Sequence, residues 1–153
     1  MDERVAGVAE EASTRYYLAV ASLDHALAGK AGGFAQMGHG KHAPVKGLRK
    51  GDWIVYYSPR EHMGEGDAVR SFTTIGQVTS EAAYKARQGE TFEPWRVDVS
   101  YLDAKPAPIT PLLDRLELTR ERGRNWGIVM RGSKRTLSQR DFRLIAEAME
   151  ARI

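Results

Sequence analysis

Binding chemistry needs polar or aromatic side chains at a place where a partner can approach the backbone, and three stretches of this 153-residue chain offer that combination. The first closes the segment Leu48–Pro59, LRKGDWIVYYSP. Proline lacks the N–H that a sheet ladder needs, so the strand should stop at Ser58-Pro59 and deliver Tyr56, Tyr57 and Ser58 to one rim, where ligands are commonly met. The second is Gly29–Lys46, in which Gly29, Gly32, Gly33, Gly38 and Gly40 interrupt any helix or strand and allow a ligand close to the backbone. The third is Ser22, set between an apolar run and a helical pattern, where free N–H groups favour polar or anionic ligands.

Two more specific chemistries fail on spacing. Gly40-Lys41 superficially resembles a phosphate loop, but that pattern needs a glycine five positions earlier and a hydroxyl residue after the lysine, and Ala35 and His42 stand there. His39 and His42 could begin a metal site, yet a stable one needs a third ligand at suitable spacing, and the chain has no cysteine to supply thiolates. No metal or other cofactor is expected.

The net charge of +3 hides an asymmetry. Lys30–Lys50 carries five basic residues and no acid, and Arg120–Arg143 carries eight basic residues against Glu121 and Asp141, so these segments hold +5 and +6 and leave −8 for the remainder. If the two meet in space they suit a polyanion; if they do not, they are solvated faces. The length suits one domain with one core. The absence of cysteine, the acids Asp2, Glu3, Glu10 and Glu11 where a secretory apolar region would lie, and the lack of a run of about 18 apolar residues point to a cytoplasmic protein that does not enter a membrane.

The elements that must position these groups follow from periodicity. Residues 1–14 read as a loose acidic extension, and 15–153 as the domain. Thr14–Ala21 is apolar enough for a strand buried on both faces, and Ser22 is expected to cap a helix over Leu23–Ala28. Trp53–Tyr57 is a strand and Arg60–Asp67 a polar loop. Val69–Thr79 is a long strand whose Gly76 predicts a bulge or a barrel bend. Glu81–Gln88 reads as a short helix, and Trp95–Tyr101 as an alternating, half-buried strand. Leu112–Leu118 should form a helical turn or two, Asn125–Met130 a short strand, and Ser138–Arg152 an amphipathic helix with Ser138 and Asp141 at capping-box spacing. The sum is an α+β domain with a small curled sheet of about five to six mixed strands, short flanking helices and a C-terminal helix. Leu18, Val20, Ile54, Val55, Ile75, Val97, Val99, Ile128, Leu144 and Ile145 are expected to share its single core.

Several motifs occur in a fixed order: Gly33-Phe34-Ala35-Gln36, Gly38-His39-Gly40-Lys41, Lys50-Gly51-Asp52-Trp53 to Tyr57-Ser58-Pro59, Phe72-Thr73-Thr74-Ile75-Gly76, Asn125-Trp126-Gly127 and Asp141-Phe142-Arg143-Leu144-Ile145. Together they resemble the EVE domain family of the PUA-like superfamily, related to the YTH readers of methylated adenine in RNA. The resemblance runs from about Arg15 to Met149. It implies a PUA-like pseudobarrel with a rim pocket and recognition of DNA or RNA, with a modified base flipped into an aromatic pocket. By position that pocket draws on Ser22, Phe34, Gln36, His39, Tyr57, Ser58, Trp95 and Trp126, and phosphates fall to Lys41, Lys46, Arg124 and Arg131. EVE domains often sit beside a nuclease or other effector, so this chain is expected to bind and to leave any reaction to a separate effector protein.

Two alternatives stand beside that reading. Another PUA-like branch resembles amidohydrolases that act on acetylated cytidine through Lys, Thr and Glu, and the counterparts here would be Lys41, Thr73 or Thr74, and Glu61 or Glu65. Nothing in their spacing brings them together, so no enzyme is expected. The other is an RNA-binding accessory module indifferent to modification.

Overall fold

The computed structural model describes residues 14–153, so the expected extension lies almost wholly outside the described residues. The chain builds one mixed, curled sheet. Strand β1 (Tyr16–Val20) runs parallel to β3 (Trp53–His62) and antiparallel to β8 (Lys134–Leu137). On its other side β3 forms a long hairpin with β4 (Glu65–Val78), which continues to β6 (Trp95–Tyr101) and then to β2 (Phe34–Ala35). Two-residue strands β5 (Tyr84–Lys85) and β7 (Ala107–Pro108) attach to β6 and β4. Helix α1 (Leu23–Gly32) follows β1, α2 (His42–Val45) lies in the glycine-rich segment, and α3 (Gln139–Ala148) follows β8. The expected α+β, PUA-like barrel-like architecture with a C-terminal helix is what the chain adopts. Among the described residues no helix is long and apolar enough to cross a membrane.

The apolar side chains form two cores, one on each face of the sheet, where a single core was expected. Leu18, Val55, Ile75 and Ile145 belong to one, together with Tyr57, Phe72 and Phe142; Ile54, Val97 and Val99 belong to the other, with Ala19, Met37, Val45 and Tyr56. The cause is the alternation of side chains along β1 and β3, which are covered on both faces, so successive residues enter opposite layers. Ile128 enters neither and is 48% exposed.

Ser138 caps α3 as expected, its hydroxyl accepting from the Asp141 N–H at 3.1 Å. Ser22 occupies the N-cap position ahead of α1, but its side chain makes no capping bond; its hydroxyl donates to the Asp24 carboxylate instead. Glu81–Gln88 is not a helix, because Tyr84–Lys85 pairs with the open edge of β6 and Tyr84 donates to Asp98. Asn125–Met130 is not a strand but part of a 3₁₀ helix over Gly123–Met130, which presents Trp126, Val129 and Met130 to the core at helical spacing.

The strand ending at Pro59 also differs, and this difference shapes the site. Strand β3 runs on to His62, because Pro59 falls where the register jumps from Ser58↔Ser71 to Arg60↔Ala68, opposite the extra residue that β4 carries there, and at that irregularity no ladder N–H is asked of it. The expected loop over Arg60–Asp67 is therefore the tip of a hairpin. A second jump, between Tyr56↔Thr74 and Tyr57↔Phe72, leaves Thr73 as an extra residue. Gly76 is not a bulge: pairing continues through it, and a Cβ there would lie 2.6 Å from Val99 Cγ1 and 2.7 Å from the Ser100 carbonyl oxygen. Glycine lets β6 approach that closely.

Candidate functional site

Strand β1 ends beside the middle of the parallel strand β3, where the Ala21 N–H donates to the Tyr57 carbonyl at 3.1 Å. At the end of β1 lies a cleft of about 400 Å³, near the lower end of the range of roughly 300–1,000 Å³ common for small-ligand sites. Val20, Ala21 and Ser22 come from the end of β1, His25 from α1, and Gln36 to His39 from the glycine-rich segment. Met63 reaches in from the hairpin tip, and Gly132 and Ser133 complete the wall ahead of β8. Gly38 and His39 hold left-handed backbone angles, φ 57° and 61°, which turn the loop tightly at the cleft mouth.

Gln36 is the unusual member of this wall. Its backbone carbonyl accepts from the Tyr56 hydroxyl at 3.1 Å and lies 3.4 Å from His25 Nε2. The residue is 5% exposed, and the carboxamide oxygen Oε1 is buried without a hydrogen-bond partner among the described residues. An unpaired buried polar atom costs about 1–3 kcal/mol, so a fold that keeps one invites an explanation. The terminal amide torsion is soft, so the group can present oxygen or nitrogen to a molecule entering the cleft.

Electrostatics at the mouth centre on Asp24. It accepts from Ser22 and faces His62 Nδ1 at 3.1 Å, while its Oδ1 also accepts from the His25 N–H at 2.8 Å. These bonds, that from Ser22 foremost, hold its carboxyl below the usual range, and the bond to Asp24 raises the His62 imidazole above its ordinary value. The contact links the hairpin tip to the start of α1.

Two further clefts share Arg124 and Gly127. One, of about 490 Å³, is lined by Tyr57, Pro59, Arg70, Arg124, Trp126, Gly127 and Met130. The other, of about 780 Å³, holds Arg122, Arg124, Asn125, Ile128 and Arg131, with Glu121 its single acid. A model of the EVE domain matches residues 15–148. The chain belongs to the EVE domain family. UPF0310 protein msl3206 of Mesorhizobium japonicum is 46% identical over 138 residues, covering 89% of this chain and 92% of that protein. UPF0310 protein YdcG of Bacillus subtilis is 38% identical over 141 residues, covering 92% and 96%. The crystal structure of Atu2648 from Agrobacterium tumefaciens superposes with a TM-score of 0.54 at 13% identity, over 88% of this chain and 92% of that one. The NMR structure of Rpa0253 from Rhodopseudomonas palustris gives 0.52 at 18%, over 90% and 94%. Those two likenesses concern the fold.

In this EVE domain the sequence-predicted residues divide among several places. Ser22, Gln36 and His39 share the first cleft, and Tyr57 and Trp126 share another, ring edge to ring face with centroids 6.3 Å apart. Tyr57 is 2% exposed, and burial pushes its hydroxyl up to about 12. Phe34, Ser58 and Trp95 line none of the three clefts. The Phe34 ring is covered by the Arg96 guanidinium at 3.8 Å, Trp95 packs on the His42 imidazole at 4.0 Å, and Ser58 is fully buried against Thr73, hydroxyl to hydroxyl at 2.8 Å. Hence the first cleft's planar side groups are the imidazoles of His25 and His39 and the Gln36 amide, not an aromatic cage.

The basic segments meet in part. Gly38 and His39 of the first and Gly132 and Ser133 of the second line one cleft, and Arg124 and Arg131 line the neighbouring ones. Lys41 and Lys46 are exposed at either end of α2, outside these walls. The sequence reading had no signal for His25, Met63 or Ser133, because each arrives from an element whose path depends on tertiary pairing. Among the described residues no three histidine or carboxylate side chains cluster as metal ligands.

Proposed function

We propose that this EVE protein is a nucleic-acid-binding module that accepts a single base, flipped out of its strand, in the cleft beside Gln36. The observation that carries the reading is the Gln36 carboxamide in the wall of that cleft, whose oxygen is buried without a hydrogen-bond partner among the described residues. A base edge offers donors and acceptors in a plane, which is what an unsatisfied amide can pair, and a flipped base is read on its Watson–Crick edge. The imidazole of His39, exposed at the mouth, is a stacking surface of the kind used for unstacked bases. Family membership and the basic segments on the cleft's flanks support a polyanionic partner.

The preferred base in this reading carries a modification: methylated or hydroxymethylated cytosine, or methylated adenine. Val20, Met37 and Met63 offer apolar surface against which an added methyl is worth about 0.8 kcal/mol. The protein binds, and a separate effector acts. Lys41, Thr73, Thr74, Glu61 and Glu65 support no catalytic alternative: both threonines are buried, while Glu61 is spent on the Asp67 N–H at 2.7 Å out on the hairpin.

The test is a binding screen over matched single- and double-stranded DNA and RNA, each with and without cytosine and adenine modifications. Tighter binding of one modified strand, lost in Gln36→Ala, is expected. Equal binding of all strands would leave an accessory module without base selectivity, and release of an altered nucleoside would replace the reading with an enzyme.

A further inference from the structure

The base cleft accounts for neither Trp126 nor the arginines beside it. Trp126 is half-buried, set edge to face against Tyr57, and both rings line the same cleft. Around it stand Arg70 and Arg124, and Arg124 also belongs to the adjoining cleft with Arg122 and Arg131. All four arginines are exposed residues, and none takes part in the ion pairs found among the described residues. Arg70 also holds a left-handed backbone, φ 43°, that a non-glycine residue seldom adopts. An indole, unneutralised guanidiniums, and the exposed Ile128 close by make a surface for a planar, anionic ligand.

This surface adjoins the base cleft. Met130 lines the Trp126 cleft and Gly132 lines the first, and the two are separated by Arg131 alone. Two Cα steps of about 3.8 Å keep their backbones within roughly 8 Å. We propose that the Trp126 cleft is a second nucleotide site, which stacks a base flanking the one in the Gln36 cleft and holds the intervening phosphates on Arg124, Arg131 and Arg70. The ligand class is thus a single-stranded oligonucleotide segment rather than a free nucleoside. The proposal rests on the nucleic-acid reading above and divides its work: Gln36 reads a base, and Trp126 gives affinity independent of that base's identity, because every base has a face to stack.

The experiment compares free 5-methyldeoxycytidine and N6-methyladenosine with single-stranded heptamers, DNA or RNA, carrying the same base at the centre. Trp126→Ala should weaken the heptamer by roughly 5- to 150-fold and leave the nucleoside unchanged. Gln36→Ala should weaken both. Arg124→Ala and Arg131→Ala should weaken the heptamer alone and make the log–log salt slope shallower by about 0.7 each. Because Trp126 also packs on Tyr57, Trp126→Leu and Trp126→Phe separate packing from stacking: Leu should bind poorly and Phe should recover most of the affinity. Wild-type affinity in Trp126→Leu, or equal losses for nucleoside and heptamer in Trp126→Ala, would overturn the second site. A heptamer that binds no more tightly than its nucleoside would also remove the second site while sparing the base cleft. Failure of wild type to bind either probe would remove both.

Discussion

Replacing Gln36 by methionine should make the protein more stable and less able to bind. Methionine keeps the length and approximate volume of the side chain, so it opens little cavity, and such swaps usually cost less than about 1.5 kcal/mol. It removes the carboxamide oxygen that is buried without a partner, relieving a penalty of about 1–3 kcal/mol. The bonds that Tyr56 and His25 make to residue 36 go to its backbone carbonyl and survive the change. The balance favours stabilisation. For a chain of this size each kcal/mol moves the melting temperature by roughly 2–4 °C, so a rise of a few degrees is expected. Calorimetry measures it, and titration with the preferred oligonucleotide on the same sample should show weaker binding. A fall in melting temperature with binding intact would refute the reasoning, since the amide would then be structural.

Other outcomes follow from particular contacts. Ser58→Ala leaves the buried Thr73 hydroxyl only its long 3.5 Å bond to the Tyr56 carbonyl and should cost about 0.5–1.5 kcal/mol by denaturant titration, and adding Thr73→Val should recover part of that loss. Gly76→Ala should destabilise by about 1–3 kcal/mol, because the Ser100 carbonyl is backbone and cannot move aside, whereas Gly51→Ala meets no such neighbour and suffers from its φ of 97° alone. The His62–Asp24 contact should be strongest between the two groups' ordinary values, 3.8 and 6.5. The raised imidazole loses its contribution as pH climbs through its folded value, and the lowered carboxyl loses its own as pH falls through its folded value. An NMR titration should place His62 above 6.5 in wild type and return it toward 6.5 in Asp24→Asn; an unchanged value in the variant would dismiss the pairing.

Local signals carried the sequence reading where neighbours close in the chain decide the structure. Ser138 and Asp141 cap α3 because the partners are three residues apart, and the alternation in Trp95–Tyr101 survives because one face of that strand holds the buried Val97 and Val99 between the half-buried Trp95 and Tyr101. Errors came where distant partners decide. Lys134–Leu137 carries too much charge to look like a strand, yet charged residues suit an edge, and β1 offers it a ladder. Pro59 reads as a stop because the bulge that tolerates it is made by residues of β4. The same holds for the site. Ser22, Gln36 and His39 belong to successive segments and line one cleft, whereas Phe34 packs under Arg96 and Trp95 on His42.

The placement of β1 between β3 and β8 has a consequence for how the protein comes into being. Tyr17 lies opposite Ile54 on one side and Thr136 on the other, so the first strand obtains its second neighbour from the far end of the sequence. Pairings of such long range close slowly, because loop entropy is spent before any contact repays it. During synthesis the ends of β1 and β3 can meet early, but Gly132 and Ser133 arrive late, and until then the Gln36 cleft lacks a wall. A nascent or clipped polypeptide without β8 should therefore present an unfinished Gln36 cleft, so that binding there begins only after Gly132, Ser133 and the strand that follows them have been made.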